Sequence, residues 1–180
     1  MAIHEGLKIP CLKWLAGSNP APSTFMDKQF LQLAIEKAKE SVAESGFPAG
    51  AVVVRNGEVI GSGISIGNTL NDPTSHGEMA VLRAACKNLK TSDLSDSILY
   101  ASMQPCLMCL GASMWCAISR IVFACPKEHV SPEYYGGYYQ PSEINSQLIH
   151  PITLVHFAAL EKESMTIVHE WEKSLRLQSI

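Results

Sequence analysis

The sequence predicts an α/β domain, a mixed sheet with helices on its faces. A clear helical period over residues 26–44 is followed by two apolar runs separated by Asn56-Gly57, a strong hairpin signal because both turn residues need positive φ. Two strand–helix–strand stretches come next, which implies parallel neighbouring strands joined by right-handed crossovers. The length of 180 residues suits one domain. A chain of that size buries roughly 70 % of its unfolded surface without disulfide staples.

Residues 1–24 read as an extension or leader, loosely ordered, and residues 25–180 as the domain. The first stretch holds Pro10, Pro20 and Pro22, lacks a sustained period and shows no clear signal-peptide pattern. Leu7, Ile9, Leu12, Trp14 and Leu15 form a small apolar cluster able to pack on a surface, and Met26 is a natural alternative start. In the first helix Phe30, Leu33, Ala34, Lys37, Ala38 and Ser41 recur at helical spacing, with Ile35 and Val42 beside them, and Gly46 and Pro48 end it. Strands follow over 50–55 and 58–64, then a polar loop over 65–74. A helix over 75–89 has Val81, Leu82, Ala85, Cys86 and Leu89 as its buried face. A strand over 97–103, a helix over 106–117 opened by Pro105, and a strand over 120–125 complete the crossovers. An aromatic loop holds Tyr134, Tyr135, Tyr138 and Tyr139; a short strand over 152–156 and a helix over 162–177 close the chain.

The net charge is −3 with a pI near 6.1, and there is no basic stripe to attract nucleic acid over a distance. No apolar run reaches the ~18 residues of a membrane helix. Cys86, Cys116 and Cys125 lie in apolar surroundings and read as reduced core residues, and a cytoplasmic location follows from thiolates committed to metal.

The chemistry concentrates in His76-Gly77-Glu78 and Pro105-Cys106-Leu107-Met108-Cys109. One imidazole and two thiolates bind a single zinc ion and leave its fourth position to water, as in catalytic sites. Cys106 and Cys109 share a helical face at the positive end of a helix, where thiolates are stabilised. A zinc-held water loses its proton far more easily than bulk water. Glu78, not needed as a ligand, can take that proton and pass it to a leaving nitrogen, which is hydrolytic deamination.

Each piece also has an ordinary reading. Ser75 to Glu78 fits a capping box. Cys-x-x-Cys alone fits a redox pair or half a structural zinc site, and His76 alone a polar surface residue. The catalytic zinc reading explains the His-x-Glu, the interval and the Pro-Cys-x-x-Cys together.

That pairing, His-x-Glu followed by Pro-Cys-x-x-Cys, is the signature of zinc deaminases. Phe47-Pro48-Ala49-Gly50-Ala51-Val52-Val53-Val54, Asn71-Asp72-Pro73-Thr74-Ser75-His76-Gly77-Glu78 and Pro105-Cys106-Leu107-Met108-Cys109-Leu110-Gly111-Ala112 carry a resemblance to the cytidine deaminase-like superfamily. The chain looks closest to the branch of guanine deaminases, tRNA adenosine deaminases and fungal cytosine deaminases. The resemblance covers about residues 26–174. It implies a three-layer α/β/α sandwich with a mixed five-stranded sheet, Zn²⁺ on His76, Cys106 and Cys109, Glu78 as proton shuttle, and a homodimer with active sites near the interface.

The chain departs from its relatives at three places. Ser65 stands where relatives carry a base-binding asparagine, the nearest here being Asn68; Gln104 replaces a frequent glutamate; and Gly77 replaces a frequent alanine. Ser65, Asn68 and Gln104, with Glu133, Tyr134 and Tyr135 of the aromatic loop, are the candidate substrate contacts. Glu128 and His129 fall in the same region, and Trp171 either covers the pocket or belongs to the core. The tyrosines can equally be packing residues. The expected substrate is a small nucleobase or nucleoside, a guanine-type purine ahead of a cytosine-type pyrimidine. A tRNA adenosine deaminase is disfavoured by the mixed charge of the last helix, and a catalytically silent zinc scaffold is the alternative outside the enzymes.

Overall fold

The computed structural model describes residues 24–178. The expected extension and its apolar cluster lie almost wholly outside them. The elements are α1 (Thr24–Ala43), β1 (Phe47–Arg55), β2 (Glu58–Ser65), α2 (Gly67–Leu70), α3 (Gly77–Leu89), β3 (Ser97–Met103), α4 (Leu107–Trp115), β4 (Arg120–Cys125), α5 (Pro141–Ser146), β5 (Thr153–His156) and α6 (Glu161–Gln178). The strands form one mixed sheet in the order β2-β1-β3-β4-β5. β1 runs antiparallel to β2 and β3, while β3, β4 and β5 are parallel. The expected α/β/α sandwich is therefore present.

Alternation along the strands builds the three layers. Val52, Val54, Tyr100 and Val122 face Leu31, Ala34, Ile35 and Ala38 of α1 and Ile167 of α6. Their neighbours Ala51, Val53, Leu99 and Ile121 face Val81, Leu82 and Ala85 of α3 and Leu110 of α4. The hairpin is as expected: Asn56 has φ 53° and Gly57 φ 81°. No helix among the described residues is long and apolar enough to cross a membrane.

Several expectations change. Only β3 and β4, and β4 and β5, are parallel neighbours; β2 and β3 are separated by β1, which pairs with both. The crossover through α3 steps over the strand that the hairpin has already placed. β1 begins at Phe47 rather than residue 50, with a ladder irregularity between Phe47 and Gly50 that accommodates Pro48. The buried stripe of α1 includes Leu31 and leaves Leu33 exposed. The loop over 65–74 contains α2, and α5 was not expected. Cys125 is fully buried, whereas Cys86 and Cys116 are only half-buried.

One buried polar network ties the layers together. Arg120 at the start of β4 donates to both carboxylate oxygens of Asp27 in α1 at 3.0 and 2.6 Å, and the Tyr100 hydroxyl of β3 donates to the same group at 2.8 Å. Burial pushes the Asp27 carboxyl up, but these hydrogen bonds outweigh it and hold the group below its ordinary 3.8. A carboxyl lowered in the folded state adds stability above its unfolded pKa and loses it as pH falls through the lower folded value. Arg120→Met should destabilise the fold by about 3–5 kcal/mol by leaving Asp27 buried and unpaired, with Asp27→Leu/Arg120→Met closer to wild type. Urea unfolding of the three proteins at neutral pH measures this.

Candidate metal centre

The site gathers at the carboxyl ends of β2 and β3 and the start of β1, where ligands commonly bind in open α/β sheets. α3 and α4 lie on the same sheet face, and each begins at a metal donor. His76 is the N-cap of α3 and Cys106 the N-cap of α4, both with extended backbone and no capping hydrogen bond from the side chain. The capping-box alternative therefore does not describe this helix start: the cap is His76, not Ser75.

His76 Nδ1 lies 3.6 Å from Cys106 Sγ and 3.6 Å from Cys109 Sγ, and the two sulfurs are 3.6 Å apart. A tetrahedral zinc with ordinary bond lengths needs about 3.6 Å between nitrogen and sulfur and about 3.8 Å between sulfurs. The donor set and its spacing thus fit zinc. Among the described residues these three alone form a cluster able to hold a metal ion. Glu78 is 6 % exposed and lies beside them, outside the donor cluster.

Electrostatics explain what the cluster requires. The hydrogen bond between the two sulfurs holds Cys106 down at about 4, against burial and with help from His76. Cys109 is pushed far above the ordinary thiol value by that same bond and by burial. Among protein groups alone, only one of two sulfurs 3.6 Å apart can ionise. A divalent cation between the donors would offset both charges, as would in part the positive ends of two helices. The bond to Cys106 raises His76 above its ordinary value despite burial. Burial, then the charge of Cys106, pushes Glu78 up to about 7.

Glu78 and His76 form one end of a cavity of about 560 Å³. Ser65, Asn68, Gln104, Tyr134 and Tyr135 all line it, together with Phe47, Asn71, Asp72 and Met103, which the sequence had not singled out as contacts. Glu133 does not line it; it is exposed, and its backbone N–H bonds Ser131 Oγ. Glu128 and His129 are exposed as well, His129 pairing with Glu161 at 2.8 Å. Both tyrosine hydroxyls are engaged within the protein, Tyr134 with Glu172 at 2.6 Å and Tyr135 with the Gln104 carbonyl at 2.8 Å. Trp171 packs edge-on against Phe47 and Tyr134, behind the cavity wall. Gly77 faces away from the cavity contacts: a Cβ there would stand 3.1 Å from the Gly50 Cα, and one on Gly63 only 2.2 Å from the Gly77 carbonyl oxygen. The glycine in His-Gly-Glu answers to helix–sheet packing.

Residues 25–125 match the model of the cytidine and deoxycytidylate deaminase zinc-binding region. The chain belongs to that family, whose metal is zinc. It is 45 % identical over 96 residues to a guanine deaminase of Bacillus subtilis, a match covering 53 % of this chain and 62 % of that protein, under two thirds of its length. It is 31 % identical over 150 residues to a tRNA-specific adenosine deaminase of Agrobacterium fabrum, covering 82 % and 95 % of the two chains. The solved structure of the Bacillus guanine deaminase superposes with a TM-score of 0.58 at 32 % identity, over 81 % of this chain and 93 % of that one.

Replacing either thiol, by Cys106→Ser or Cys109→Ser, should reduce bound zinc from about one per chain to near none, because three protein donors leave no redundancy. Elemental analysis of dialysed protein reads this directly.

Proposed function

We propose that the chain is a zinc-dependent hydrolytic deaminase of a nucleobase or nucleoside, with a guanine-type purine as substrate. The observation that carries the reading is the juxtaposition of three zinc-spaced donors with a spare buried carboxyl, Glu78, in the lining of one cavity. Zinc bound by His76, Cys106 and Cys109 supplies the Lewis acidity that acidifies a water. Glu78 accepts a proton from the attacking water and delivers it to the departing amino nitrogen, so that water is consumed and ammonia released. Phe47 and Tyr134 offer ring faces and edges to a flat heterocycle. Asn68, Asn71 and the Gln104 amide offer hydrogen bonds to its edge. The amide oxygen of Gln104 is taken by the Lys127 N–H at 2.9 Å, which leaves its NH₂ for a ligand.

The purine choice draws support from the 45 % identity to a guanine deaminase. A tRNA adenosine deaminase is the second reading, favoured by the long match to the Agrobacterium protein. Against it, among the described residues no lysine or arginine lines the cavity or the adjoining open groove of about 460 Å³, and phosphate contacts dominate nucleic-acid affinity. The reading places the enzyme in the cytoplasm, where committed thiolates stay reduced.

Ammonia release by zinc-loaded protein should be strongest with guanine in a panel of guanine, adenine, cytosine, isocytosine, their nucleosides and an anticodon stem-loop. Glu78→Gln should keep its zinc and lose about 10²-fold or more of turnover. Turnover of the stem-loop alone, falling steeply with salt, would replace the purine reading.

The family's homodimer also has a candidate face here. Leu107 and Trp115 of α4 are 48 % and 55 % exposed, and between them none of the described residues comes within 4 Å of the position a Cβ on Gly111 would take. These residues, four apart, form one apolar stripe that a second copy would cover. Sedimentation velocity should show a dimer for the wild type and a monomer for Trp115→Glu.

A further inference from the structure

Cys106 differs from the other two donors in how it is held. Cys109 lies inside α4 with its backbone in the helix. His76 caps α3, whose first turn packs onto β1 and β2 through Gly77. Cys106 precedes α4, follows a proline that has no N–H, and gives no capping bond to its own helix. An N-cap residue ordinarily offers a side-chain oxygen to the first turn. Here the side chain is a sulfur aimed at the other metal donors.

The segment after β4 supplies what is missing. The Leu107 N–H, one of the first-turn donors without a helical acceptor, donates to the Tyr139 hydroxyl at 2.8 Å. On the other side of Cys106, the Tyr135 hydroxyl donates to the Gln104 carbonyl at 2.8 Å. The Gln104 N–H donates to the Cys125 carbonyl at 2.8 Å, and its side-chain oxygen accepts from the Lys127 N–H at 2.9 Å. The residues flanking Pro105-Cys106 are thus pinned from one direction by one segment. Beneath the two rings lies a single buried cation: Lys127 Nζ is 5.4 Å from the Tyr135 centroid and 5.2 Å from that of Tyr139. A desolvated ammonium near two aromatic rings fixes their separation.

We infer that Tyr135 and Tyr139, spaced by Lys127, are positioning residues that hold Cys106 as a zinc donor. The inference rests on the reading that His76, Cys106 and Cys109 bind zinc. It gives Tyr135 and Tyr139 a role at the metal, while Tyr134 of the same loop faces the cavity. Neither tyrosine is a catalytic residue, since each acts through the backbone of Gln104 or Leu107. Partners that hold a metal ligand directly typically cost 10–100-fold in metal affinity when removed, and here the hold passes through the backbone on either side of Cys106.

The test is zinc release from the loaded protein to a chromophoric chelator, with no substrate present. Tyr139→Phe keeps the ring over Lys127 and removes only the hydroxyl; it should release zinc about 10-fold faster. Tyr135→Phe and Lys127→Met should act in the same direction, and Tyr138→Phe, on an exposed ring, should release at the wild-type rate. With cobalt in place of zinc, the sulfur-to-metal charge-transfer band should shift in Tyr139→Phe while the thermal midpoint stays near wild type. That separates a displaced thiolate from general loosening. Wild-type release rates in both tyrosine variants, or an unchanged cobalt band, would overturn the inference. A protein that keeps zinc through its tyrosines but releases ammonia from no substrate would overturn the proposed function alone.

Discussion

Two sulfurs stand 3.6 Å apart beside a buried carboxyl, and this crowding of acidic groups governs how the rest of the molecule is arranged. Taking such charges out of water costs several kcal/mol each, so the site requires compensating positive charge. The fold brings it in two ways. It collects an imidazole and two sulfurs at the spacing of a divalent ion, and it aims the positive ends of α3 and α4 at the same place. That convergence is possible only because both helices pack on one sheet face with their N-termini at the same end. The packing depends in turn on the glycine contact between β2 and the first turn of α3. What reads locally as a metal motif is, in three dimensions, an instruction about helix direction.

The parts legible in the sequence were those whose partners lie within one turn or one hairpin. Cys106 and Cys109, His76 and Glu78, and Asn56-Gly57 each declare their geometry through spacing of three residues or fewer. β3 and β4 were legible in full because continuous apolar runs bounded by polar residues leave little choice of ends. The pairing of β1 with β3 was not, because strand adjacency is set by packing across the whole sheet. Asp27 and Arg120 are 93 positions apart, and nothing in either neighbourhood announces the pair. α2 and α5 are too short to show a helical period. In the aromatic loop the residue types were evident but the directions of the hydroxyls were not, so Glu133 was counted among the contacts and Tyr139 was missed. A tyrosine's ring announces packing, whereas the target of its hydroxyl is fixed only by the folded backbone.

Base recognition and metal binding draw on different parts of the fold. The metal donors come from the N-caps of α3 and α4 and the first turn of α4. The cavity wall comes from Ser65 at the end of β2, the α2 turn with Asn68 and Asn71, and the 134–135 stretch, all of them loop or strand-end positions. Such positions tolerate substitution more readily than the helix starts. The polar side chains the wall presents include the small hydroxyl of Ser65 and the amides of Asn68, Asn71 and Gln104. Gln104 belongs to both parts, since it lines the cavity and flanks Pro105-Cys106.

The aromatic cluster behind the cavity has an optical consequence. Phe47, Tyr134 and Trp171 make three mutual edge-on contacts, with centroids 5.1 to 6.0 Å apart, and they come from the first strand, the aromatic loop and the last helix. Phe47 and Tyr134 touch the cavity, and the indole touches both. A ring seated against Phe47 or Tyr134 would alter the surroundings of Trp171 without touching the indole. With Trp14 and Trp115 replaced, the emission of Trp171 would then follow occupancy of the cavity from the last helix.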